Sequence, residues 1–64
     1  MKKPATEPQL ENAVITTWPL GPWKWAGTAI VMDKVRHIGT QPTQERARAA
    51  CIALALQMGA KVKG

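Results

Sequence analysis

The chain has 64 residues and carries a net charge of +5, from nine Lys and Arg against four Asp and Glu. One domain with a modest core is all that this length supports, and such domains depend on good packing, cross-links or self-association. Cys51 and His37 are the only thiol and imidazole, which excludes an internal disulfide and leaves no ligand set for a metal, so no cofactor is expected.

Residues 1–10 hold two prolines and few apolar side chains, and read as a disordered arm. A single domain is expected over 11–60, followed by a basic tail over 61–64. Much of the charge sits at the ends: Lys2, Lys3 and Glu7 give +1, and Lys61 and Lys63 give +2, leaving +2 for the body. Lys2 and Lys3 have no apolar segment behind them, unlike a signal peptide. No apolar run reaches the ~20 residues of a membrane span. A cytoplasmic protein with no membrane partner is expected.

Asn12 to Trp18 is rich in β-branched residues and reads as a first strand. Pro19-Leu20-Gly21-Pro22 reads as a turn. Trp23 to Met32 is the second strand, with Trp23 and Trp25 on one face by alternation. Gly27 inside it marks a bulge or a close backbone approach. Asp33-Lys34 is the expected hairpin tip, and Val35 to Thr40 the third strand. The period then changes from two to 3.6. Thr43 is a good N-cap with Glu45 in the first turn, the helix runs from about Gln44 to about Met58, and Gly59 closes it. The expected fold is α+β, a three-stranded antiparallel sheet packed by one C-terminal α-helix.

At 100° per residue, Ala47, Ala50, Cys51, Leu54 and Met58 share one side of that helix, the side expected to cover the sheet. Ile52 and Leu56 lie nearly opposite. With Trp18 they form the expected partner or self-association set, and a homodimer through Ile52 and Leu56 follows from it. Nothing pairs His37 or Cys51 with a nucleophile or an acid, so an enzyme is not expected.

Trp23-Lys24-Trp25-Ala26, Ile38-Gly39-Thr40, Thr43, Glu45, Ala47, Ala50, Ala55-Leu56 and Gly59-Ala60-Lys61 together resemble the AP2/ERF-type DNA-binding domain, whose fold the arm-site domains of phage integrases share. The resemblance spans residues 23–61. It implies a sheet that enters the major groove, with Trp23 as a sheet-face contact, Trp25 as packing, and His37 beside Arg36 where the family often has a groove-facing tryptophan. The family's arginine-rich first strand is uncharged here. Ile30 and Thr28 replace the usual arginine and glutamate of the second strand, so slight sequence preference is expected.

These readings converge on a small non-enzymatic binding protein. The first expectation is a DNA- or RNA-binding accessory protein of phage or mobile-element type, contacting nucleic acid through Trp23, Lys24, Lys34, Arg36 and His37. The alternative is a protein-binding inhibitor or adaptor acting through exposed tryptophans and the helix's apolar residues. What separates them is whether the exposed face of the sheet is basic or apolar.

Overall fold

The structure, a computed structural model, describes residues 9–62. The proposed arm, except its last two residues, and the end of the tail lie outside the described residues. The elements are β1 (Ala13–Gly21), β2 (Lys24–Val31), β3 (Lys34–His37) and α1 (Gln44–Gln57). The strands form an antiparallel sheet in the order β1-β2-β3, so β1 and β3 are its edges. The α+β architecture expected from the sequence is therefore present, and α1 packs across β1 and β2.

The strand boundaries differ from the sequence reading, chiefly at the two turns and the end of β3. β1 runs on through Pro19 and Leu20 to Gly21, where a turn had been expected. Pro19 lies opposite Trp25, and both the N–H and the C=O of Trp25 bond Gln41 on the far side of β2. Pro19 therefore belongs to a pair whose backbone groups point away from each other, and its missing N–H costs the ladder nothing. Leu20 is the extra residue of a bulge between Pro19 and Gly21. The turn falls instead at Pro22-Trp23, so Trp23 stands outside β2 and does not share a strand face with Trp25.

The second turn is Met32-Asp33, one residue earlier than expected, because Val31 pairs with Lys34. Met32 adopts φ 56 there, a left-handed conformation that glycine or asparagine takes more cheaply. β3 closes at His37, short of Thr40. The chain then stays beside β2: Ile38 N–H donates to Gly27 C=O at 3.1 Å, and Gln41 exchanges bonds with Trp25 at 2.7 and 2.9 Å. Four steps lead from His37 to Gln41 but only three from Thr28 to Trp25, so this stretch carries one extra residue.

The helix begins as its sequence dictates. The Thr43 hydroxyl accepts the Arg46 N–H at 3.2 Å, and Glu45 sits in the first turn. It ends in a Schellman motif. Gly59 takes φ 107, its N–H donates to Leu56 C=O at 3.2 Å, and Ala60 N–H donates to Ala55 C=O at 3.0 Å.

The core is built from small residues. Ala29, Val31, Ala55 and Ala60 are buried together, with Leu10, Ala13, Ile15, Leu54 and Met58 packed around them. Val31 and Cys51 are the largest fully buried side chains among the described residues. A β-carbon placed on Gly27 would meet Cys51 Sγ at 2.5 Å and Ile38 Cδ1 at 3.0 Å. The close-approach reading of Gly27 is the correct one: a bare backbone there lets α1 settle onto β2.

The helix meets the sheet through a different face from the one expected. Its buried residues are Ala47, Cys51, Ile52 and Ala55, whereas Ala50, Leu54 and Met58 are only half-buried. The contact face is thus rotated by roughly 60° toward Ala55 at 100° per residue. Alanine allows the closest backbone approach, so Ala47 and Ala55 sit fully buried against the strands with Cys51, and Ile52 is buried beside them. Ile52 is 7% exposed and Leu56 40% exposed, so the pair cannot form the dimer surface expected of it.

The chain ends are joined. Leu10 and Val62 form an antiparallel bridge, Glu11 N–H donates to Lys61 C=O at 2.9 Å, and Lys61 N–H donates to Asn12 Oδ1 at 3.1 Å. Lys61 and Val62 therefore belong to the folded body, as does Leu10.

Candidate binding surface

Register fixes which side chains share each face of the sheet. On the helix side, transverse rows read Ala13–Val31–Lys34, Ile15–Ala29–Arg36 and Thr17–Gly27. On the opposite side they read Val14–Ile30–Val35, Thr16–Thr28–His37 and Trp18–Ala26, with Lys24 one alternation further along β2. No described segment packs on this second side, which leaves it as the open face of the sheet.

The residues expected to contact nucleic acid are divided by this geometry. Lys34 and Arg36 fall on the helix side, where they line a shallow depression with Leu54, Gln57 and Met58 from the end of α1. The helix has no basic residue in its own last turn. Two cations delivered from β3 share that depression with the end of α1, the negative end of the helix, where positive charge is favourable. Their placement thus has a structural cause that requires no ligand. His37 and Lys24 lie on the open face instead, and Trp23, 79% exposed, projects from the β1–β2 turn. The five do not form one surface.

His37 is tied down. Its Nδ1 lies 3.0 Å from Thr28 Oγ1 in a cross-strand pair, which satisfies the hydroxyl of a buried threonine at the centre of the open face. Lys24 and His37 are the only titratable side chains in those rows.

The apolar content of the open face is its main property. Val14, Ile30 and Val35 form a continuous row across all three strands, and Val14 and Val35 are more than half exposed. Trp18, 38% exposed, lies beyond the polar row, and Leu20 is exposed past it at the bulge. Sequence reasoning selected Trp18 but missed Val14, Ile30 and Val35. β-branched residues on a strand look alike whether they face a core or solvent, and only the seating of the helix decides. Trp18 faces away from the helix, so Trp18, Ile52 and Leu56 do not make up one interaction set.

Cys51 is inert in this arrangement. Burial pushes its thiol above the ordinary range, and the Arg48 guanidinium offsets this only in part. No group of three or more His, Cys, Asp or Glu side chains that could hold a metal occurs among the described residues, and no described helix is long and apolar enough to cross a membrane. Comparison with known proteins returns no match: no family model, no curated protein and no solved structure matches this chain.

Proposed function

We propose that this chain is a non-enzymatic protein-binding domain whose recognition surface is the open face of its sheet. The observation that carries this reading is the row Val14–Ile30–Val35, together with Trp18, on a face that holds only Lys24 and His37 as titratable groups. Exposed apolar rows of this kind, on a domain whose own core is mostly alanine, mark an interaction surface. The partner that fits is an apolar protein patch with carboxylates at its rim, which Lys24 and the overall positive charge would favour.

The nucleic-acid reading draws on the same net charge of +5 and on the AP2/ERF resemblance. Against it, Lys34 and Arg36 lie on the helix side of the sheet, beside Leu54, Gln57 and Met58, and not on the face that carries Lys24 and His37. One experiment separates the two. Labelled duplex and single-stranded oligonucleotides are titrated at low salt against the wild type and a Val14→Asp/Val35→Asp variant. The expected result is no binding tighter than about 100 μM, the weak end of non-specific affinity. Co-purification from a native lysate should give a protein band that survives nuclease and is lost with the double variant. Tight oligonucleotide binding lost on Arg36→Ala or Trp23→Ala would reverse the choice.

A further inference from the structure

The outer edge of β1 is a second surface, separate from the open face. In an antiparallel ladder, alternate residues turn both backbone groups toward the neighbour and the others turn them away. Met32 N–H donates to Asn12 C=O, which places Asn12, and with it Val14, Thr16 and Trp18, on the inward set. Gly27 C=O and both backbone groups of Trp25 point toward the β3 side. Their partners on β1, Thr17 and Pro19, therefore face outward, as do Ile15 and Ala13. β1 is nine residues long and carries no charged side chain. Edge strands of monomers are usually blunted by charge, shortness or proline. Here only Pro19 and the Leu20 bulge do so, at one end. At the other end Lys61 already occupies the outward side at Glu11. Among the described residues, the unpaired edge is thus bounded to the length of β1 itself.

We propose that this edge pairs with β1 of a second copy of the chain, antiparallel about a two-fold axis at Thr17. In that register Ala13 lies opposite Gly21 of the other copy. The partner strand ends at its turn before reaching Lys61, whereas a two-fold placed nearer Ala13 drives it into that residue. Thr17 pairs with Thr17 of the second copy through both backbone groups, and each Ile15 N–H meets a Pro19 carbonyl, the one group proline still offers. No charges oppose each other across the axis. A helix seated over the seam of β1 and β2 lies roughly 5 Å from the axis, so the two helices stand about 10 Å apart, an ordinary packing distance. The two open faces merge into one, with both Trp18 side chains near its centre. This dimer stands independently of the partner reading above.

The test is the mass of the intact chain in solution, with Thr17→Pro as the variant. That proline removes only an outward N–H and leaves the ladder to β2 complete. Sedimentation of the wild type should give twice 7.0 kDa, and Thr17→Pro should give the monomer with an unchanged circular dichroism spectrum. A wild type that stays monomeric at millimolar concentration overturns the proposal. So does a dimer that survives Thr17→Pro, which would place the interface elsewhere. Amide exchange of the wild type decides the matter if the variant fails to fold. Slow exchange at Ile15 and Thr17, comparable to Val14 and Thr16, supports the edge dimer, and fast exchange at those two amides overturns it.

Discussion

Gly27 and Met32 show how far single positions steer this chain. Gly27 is where the helix comes nearest the sheet, and a methyl group there would collide with Cys51 Sγ. Gly27→Ala is expected to cost about 1–3 kcal/mol, the usual penalty for overpacking a closed core, measurable by urea unfolding. Met32 is the reverse case. Its φ of 56 is imposed by the two-residue turn, and Met32→Gly should stabilise the fold by up to about 1 kcal/mol. An unchanged or lower midpoint would show that the methionine side chain has contacts that outweigh the strain. Cys51 makes a third prediction. Its thiol is held neutral by burial, so alkylation at pH 8 should proceed only at the rate of unfolding. Because the folded value is raised, the contribution to stability is complete below the ordinary thiol range. It is lost as pH rises through the folded value.

At the scale of elements, the helix is defined by its caps and by which stripe it turns inward. The Schellman ending needs a left-handed residue, and Gly59→Ala is expected to cost about 1 kcal/mol. The rotation of the contact face reverses an order that helical-wheel reasoning suggests. Ile52→Ala should cost about 2–4 kcal/mol, as buried aliphatics do, and Leu56→Ala much less. Leu54, only half-buried, should fall between them. Chemical denaturation of the three variants checks the ranking, and a larger loss at Leu56 than at Ile52 would contradict the packing described. Arg36→Ala should lower stability by about 0.3–1 kcal/mol at low salt and by less at high salt, since it lines the depression at the helix's negative end.

The whole molecule distributes its apolar residues unusually. Four alanines, Val31, Cys51 and Ile52 are buried among the described residues, while Val14, Trp18, Leu20, Trp23 and Val35 remain exposed. Such a core gives limited stability on its own. Stability that rises with protein concentration is therefore the expected behaviour of the full chain, because association removes these surfaces from water. A melting temperature independent of concentration over two decades would argue for a self-sufficient monomer.

The sequence by itself determined the element order, the change of period before Thr43 and the Thr43 and Gly59 caps. Each of these is a local matter of propensity, capping or φ, and a few neighbouring residues suffice to express it. It did not determine the ends of β1, because Pro19 is tolerated only if its N–H points away from β2, and that depends on pairing parity. Nor did it determine the helix face, since apolar residues circle α1 and only close approach to Gly27 and Ala29 chooses among them. The face of the sheet left open followed from the same choice. Tertiary structure alone sent Lys34 and Arg36 to the end of the helix and Val14, Ile30 and Val35 to the surface, because a strand offers its two faces equally until something packs on one of them.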